Sequence, residues 1–193
     1  MPRANLTPDL VVATASHLAD RDGYNQVTLS AVARELGVRP ASLYGHVRDL
    51  AALLSGIHRL ALAELGEAVA AEVAGRSGRE ALAGLAAAHR DYATRRPGAW
   101  AALQRPADDE TAASPEAARV ASLIAAVIRG YRLPESDTVH AVRLVGATIT
   151  GFVALTDARS FAHRSESVDA SWRHAVDALD RALTSWPQEG PTA

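Results

Sequence analysis

Between Thr28 and Val47 the chain leaves little choice of fold. Leu29, Val32, Ala33 and Leu36 recur at helical steps and share one face. Gly37 ends that helix, because glycine reaches the left-handed region without steric cost. Val38 follows as an apolar plug. Pro40 suits the first turn of a second helix, where its fixed φ is already helical and its missing N–H had no partner to lose. That second helix is expected from about Pro40 to His46, with Leu43 and Val47 facing inward and Arg39, Ala41, Ser42, Tyr44 and His46 left outside. A short helix with small, polar and cationic groups on its outer face has the shape of a major-groove reader. An αα-hairpin in an ordinary helical protein accounts for the spacing equally well.

The rest of the chain keeps the same period. Thr7-Pro8-Asp9 reads as a helix start, followed by Leu10, Val11, Thr14, Ala15 and Leu18 and closed by Asp22-Gly23. From the cap at Asp49, a long helix is expected through Leu53, Ile57, Leu60, Leu65 and Val69 to Val73. A helix from Ser77 through Tyr92 comes next, then a short one around Trp100 and Leu103, a flexible loop over Gln104 to Ala113, and a helix after Ser114-Pro115. Pro134-Glu135 opens another, and the last carries Val168, Trp172, Val176, Leu179 and Leu183. With no strand pattern and no long repeat, the expected class is all-α with about nine helices. Residues 1–48 form an N-terminal three-helix domain with the helix-turn-helix, 49–187 a larger C-terminal helical domain, and 188–193 a polar tail.

The reading stretch resembles the DNA-binding segment of TetR/AcrR-type transcriptional regulators. The resemblance rests on Thr28, Val32-Ala33, Gly37-Val38, Ala41, Ser42, Leu43, Tyr44, Gly45, His46 and Val47 at fixed spacing. It implies that Thr28, Ser42, Tyr44 and His46 touch DNA, mostly at phosphates, and that Arg39, Pro40, Ala41 and Ser42 lie against the bases. Leu50 stands where many relatives carry a phosphate-binding Lys, and Arg48 is the nearby cation able to replace it. Ala31 stands where a Glu often completes a capping box with Thr28. Further on, Gly151 to Leu155 and Val168 to Leu179 resemble the last two helices of the WHG subgroup of TetR-type C-terminal domains, with Thr150 at a position usually held by His. The resemblance implies a homodimer through the last two helices, a double-stranded operator and a small-molecule effector bound in the C-terminal domain.

Charge argues the other way. The chain has a net charge of -2, and residues 1–50 hold five arginines against five acids, so bulk attraction to nucleic acid is excluded. Every fixed side-chain cation is an arginine. The absence of cysteine removes disulfide and thiolate chemistry. No secretion signal is apparent after Arg3 and no apolar run approaches the roughly 20 residues that span a bilayer, so no membrane is expected and cytoplasmic residence is the simplest reading.

No catalytic motif, metal-ligand spacing or cofactor loop stands out, so no enzyme activity, metal or cofactor is expected. Tyr92, Trp100, Tyr131, Phe152 and Trp172 are candidates to line a ligand cavity, with His89, His140, Arg143 and Thr150 as polar orienters. Ordinary core packing explains the aromatics equally well. Two other functions stay open: a helical ligand-binding or scaffolding protein that has lost DNA binding, and a small α-helical enzyme using His and Arg.

Overall fold

The computed structural model describes residues 6–187, so the expected polar tail at 188–193 lies outside the described residues. Among these, nine α-helices and three short 3₁₀ turns account for the regular structure, and there is no strand. The helices are α1 (Pro8–Asp22), α2 (Leu29–Glu35), α3 (Leu50–Val73), α4 (Gly78–Arg95), α5 (Pro97–Leu103), α6 (Asp109–Ala112), α7 (Pro115–Arg129), α8 (Thr138–Asp157) and α9 (Val168–Thr184). Their starts follow from side chains that accept otherwise orphaned amides. Thr7 accepts from Leu10 N at 3.1 Å, Asp49 from Ala52 N at 2.7 Å, and Ser167 from Ala170 N at 3.3 Å.

Compactness divides the chain into two units that do not follow chain order. The first is Met1–Gly66 with Tyr92–Arg119, and the second is Glu67–Asp91 with Val120–Ala193. The expected division at residue 48 marks where the reading stretch ends, which is a different line.

In the first unit, Val11, Ala15, Leu18, Val32, Leu43, Val47, Leu53 and Ile57 close one apolar core, and Ala102 of α5 joins it. Three helices in about 45 residues cannot bury enough surface alone, and α5 supplies part of the missing wall. Gly98 lets α5 approach closely: a Cβ there would stand 2.1 Å from the Ala19 carbonyl carbon. A polar network fixes the same junction. Asp20 Oδ1 accepts the first amides of α5, from Gly98 at 2.8 Å and Ala99 at 3.1 Å. Arg96 donates to Asp20 at 2.6 Å, Glu64 at 2.7 Å and Ser16 at 2.8 Å, and the Tyr92 hydroxyl donates to Glu64 at 2.8 Å. Glu64, which the helical pattern assigns to a solvated face, is therefore a half-buried acceptor holding α3 to its neighbours.

In the second unit, Val69, Leu82, Leu85, Val127, Ile128, Val145, Ile149, Val153, Val176 and Leu183 are buried. Arg79 Nε donates to Asp177 at 3.1 Å, Tyr131 to Asp180 at 2.7 Å and the Trp186 indole to Asp137 at 2.9 Å.

Two expectations are corrected. The loop over Gln104 to Ala113 contains a helical turn, α6, because Asp108 caps it by accepting from Thr111 N at 2.7 Å. Within Glu135–Asp157, 23 residues long, a stretch of 18 residues has a mean hydropathy of 1.5, so this segment is long and apolar enough to cross a membrane by length and composition alone.

Candidate nucleic-acid interface

The candidate interface begins at Thr28, whose Oγ1 accepts from Ala31 N at 3.1 Å and starts α2 without help from a Glu at Ala31. Leu36 ends the helix and Gly37, at φ +66°, turns the chain. Arg39 is extended, and Pro40–Gly45 then forms a 3₁₀ turn, where an α-helix to His46 is expected from the sequence. The difference has a local cause. Six residues opening on a Pro and closing on a Gly make too few i→i−4 bonds to repay α-nucleation, and the tighter ladder forms instead. Its bonds run from Ser42 N to Arg39 O at 2.9 Å and from His46 N to Leu43 O at 2.8 Å.

Leu43 is fully buried and Val47 nearly so, and they anchor the turn to the core. Around this anchor, Thr28, Arg39, Pro40, Ala41 and Ser42 are exposed, Tyr44 is 60% exposed, and His46 is half-buried. An aromatic ring standing in water on a fixed backbone stabilises nothing within the chain, which makes it available to a partner. Thr28 has one lone pair committed to its cap and keeps its O–H free to donate to a phosphate.

The arginines around the turn differ in availability. Arg21 is bound at 3.0 Å by both Asp22 and Glu35, and Arg48 by Asp49 at 2.9 Å. These pairs hold the three carboxyls below their usual range; for Asp22 and Glu35 the arginine bond is the leading cause, and for Asp49 the Ala52 amide comes first. Arg39 carries no ion pair among the described residues. Neutrality of the unit is thus uneven, and one of its exposed arginines without an ion pair among the described residues sits beside Ser42.

The nine residues expected to line a ligand cavity are distributed. Tyr92 and Trp100 lie in the first unit, both buried, with the Tyr92 hydroxyl committed to Glu64. The other seven lie in the second unit. Trp172 is buried there with Phe152 edge-on at 5.1 Å, Phe161 stands 5.2 Å from Phe152, and the Arg90 guanidinium lies 5.4 Å over Trp172. His89 bonds its own helix through Leu85 O at 2.8 Å, and burial lowers its pKa. Tyr131 is tied to Asp180 and Thr150 is half-buried, while His140 and Arg143 are exposed on α8 beside Val139 and Leu144. The structure therefore places Arg90, itself paired to Asp169, and Phe152 against Trp172, with Phe161 against Phe152, and leaves His140 and Arg143 on an outer face. Arg90 was not legible as a partner because its contact to Trp172 of α9 spans more than eighty positions of chain. Among the described residues no group of three or more His, Asp or Glu has a geometry that could hold a metal ion.

Known proteins resemble both parts of the chain. Residues 11–57 match the model of bacterial regulatory proteins of the tetR family, and residues 82–179 match a tetracyclin repressor-like C-terminal domain. The chain is 30% identical over 172 residues to the uncharacterized HTH-type transcriptional regulator YobS of Bacillus subtilis, covering 88% of each chain. Among solved structures, BioQ with its double-stranded DNA operator is similar at a TM-score of 0.68 with 22% identity, covering 94% of this chain and 99% of that one. The Streptomyces coelicolor TetR family protein ActR in complex with (S)-DNPA is similar at 0.70 with 20% identity, covering 94% and 98%.

Proposed function

The chain belongs to the tetR family of bacterial regulatory proteins, and from that premise we propose that it is a homodimeric repressor released from its operator by a small-molecule ligand. The observation that carries this reading is the Pro40–Gly45 turn, pinned by buried Leu43 while Arg39, Ala41, Ser42 and Tyr44 face water. In a major groove, Ala41 permits close approach to a base or a thymine methyl. Arg39 offers a guanidinium to a guanine edge or a phosphate, and Ser42, Tyr44, Thr28 and His46 donate to backbone oxygens. Arg48 reaches a phosphate only by giving up Asp49.

Two such turns are needed. On a pseudo-palindromic site they stand about 34 Å apart, one helical repeat. The second copy is supplied by pairing of α8 and α9: α8 leaves Val139, Leu144 and Leu155 exposed, with small Gly146, Ala147 and Ala154 between them, a face suited to close helix packing. His140 and Arg143 on that same face favour a protein partner over lipid. The protein acts in the cytoplasm and performs no catalysis.

The ligand is held in the second unit around Trp172, where Phe152 and Phe161 supply apolar contact and Arg90 a cation. The ActR complex with (S)-DNPA shows that this fold accommodates a small molecule, and the BioQ complex shows the fold on an operator. Ligand and DNA then oppose each other by one coupling energy, equal in both directions.

The test is fluorescence anisotropy on duplexes from the DNA flanking its own gene, at several salt concentrations and against random duplex. A preference for one flanking site, lost in Tyr44→Ala and Ser42→Ala proteins of unchanged fold, is the expected result. Equal affinity for random duplex identifies a helical ligand-binding or scaffolding protein instead.

A further inference from the structure

The first unit carries a groove of about 540 Å³ that the DNA contacts proposed above do not fill. This volume lies within the range of small-molecule sites. Val12 of α1 and Leu60 and Ala63 of α3 line it, together with His46 and Arg48 from the reading stretch and Glu116 of α7.

The polar groups of this groove are unevenly matched. Arg59 is bonded to Glu110 at 3.2 Å and stands 4.0 Å from Glu116, and Arg48 is bonded to Asp49 at 2.9 Å. Glu116 Oε2, the atom that Arg59 Nε faces at 4.0 Å, is itself buried on a side chain that is 29% exposed, and among the described residues it receives no hydrogen bond. An unmet buried carboxylate oxygen is costly, and a donor brought to it recovers that cost. The Glu116 carboxyl is held below its usual range, first by its own backbone amide and further by Ser114, so it is an anion at neutral pH. The lining itself holds two acids, Asp9 and Glu116, and two arginines; because Arg48 is paired to Asp49 and Arg59 to Glu110, both acids outside the lining, Asp9 and Glu116 remain as its surplus negative charge.

An apolar trough with surplus negative charge and an unsatisfied carboxylate acceptor complements an ammonium group on a hydrocarbon body. We propose that this groove binds a small amphiphilic amine, its N–H donating to Glu116 and its apolar body lying against Val12, Leu60 and Ala63. Because His46 and Arg48 line the same groove and also face DNA, an occupant competes with the operator directly, without involving the second unit.

The test uses isotope-labelled full-length protein without DNA, titrated in the NMR spectrometer with phenylbutylamine and with phenylbutanol and phenylbutyrate as its neutral and anionic matches. The amine is expected to bind roughly tenfold tighter than the alcohol, one charge-assisted hydrogen bond's worth, with the carboxylate weakest. Amide shifts should centre on Val12, Leu60 and Ala63. Glu116→Gln should remove most of the preference for amine over alcohol, and Ala63→Leu, which fills the groove, should weaken all three. Equal affinity for the three probes, as an ordinary hydrated carboxylate would give, overturns the proposal. So do shifts centred on Trp172, or an amine preference that survives Glu116→Gln. These readouts need no operator, so their failure is distinct from failure of DNA recognition. In a second arm, the amine should weaken operator binding by the wild-type protein and not by Glu116→Gln; equal weakening of both overturns direct competition.

Discussion

Leu43 is the side chain on which the exposed turn depends. It is fully buried, and it is the one residue of Pro40–Gly45 whose packing holds a ladder of only a few 3₁₀ bonds in place. Leu43→Ala should cost about 2–5 kcal/mol of stability, the range for emptying a closed apolar site. Chemical denaturation measures it, and a cost below about 1 kcal/mol contradicts the packing described. Tyr44→Ala, by contrast, removes a ring in water and should leave stability within about 0.5 kcal/mol while weakening operator binding. The two substitutions, one position apart, separate anchoring from recognition. His58 adds a pH signature. It is buried, and desolvation lowers its pKa from 6.5, so the unfolded chain binds a proton that the folded one resists. Its contribution is therefore intact above about pH 6.5 and lost as the pH falls below it. Urea midpoints recorded from pH 7.5 down to 5 should decline, and His58→Gln should flatten part of that decline.

Individual helices were legible in the sequence to the extent that their signals are local. The caps at Thr7, Thr28 and Asp49, the stop at Gly37 and the inward positions of Leu43 and Val47 all depend on residues within four of each other, and all are observed. What sequence reading missed depends on distant partners. Glu64 looks solvated in a helical pattern because Arg96 and Tyr92, which bury it, lie about thirty residues on. The pair Arg95-Arg96 reads only as a helix end, yet Arg96 joins α1, α3 and the start of α5. The 3₁₀ turn escaped because periodicity cannot separate six residues of one helix type from the other. At this scale the Asp20–Arg96–Glu64 network yields a prediction. Arg96→Met strands two half-buried carboxylates and should cost roughly 2–4 kcal/mol, less than a fully desolvated pair because water reaches both acids. A double-mutant cycle of Arg96→Met with Asp20→Asn measures their coupling; additive effects would mean the Arg96–Asp20 bond at 2.6 Å contributes nothing.

A reading unit with no net charge sets a condition on the whole molecule: operator affinity has to come from a few cations and from doubling the contact surface. With Arg21 and Arg48 already paired to acids, Arg39→Ala should lower the slope of log affinity against log salt by about 0.9 for each half-site, close to two for a dimer. In the pairing proposed above, doubling uses the outer face of α8. Leu144→Arg with Leu155→Arg places two like charges on each copy where apolar side chains now face outward, so two copies brought together would set four arginines against one another. Sedimentation equilibrium should then show a monomer of unchanged helicity, because neither side chain is part of the second unit's core. Affinity for a full palindrome should drop to that for a half-site, since the linkage that makes the second contact nearly intramolecular is gone. If the variant stays dimeric, the pairing surface lies elsewhere. If it is monomeric but binds the palindrome as before, recognition does not need two turns, and the spacing of about 34 Å has no role in how this chain reads DNA.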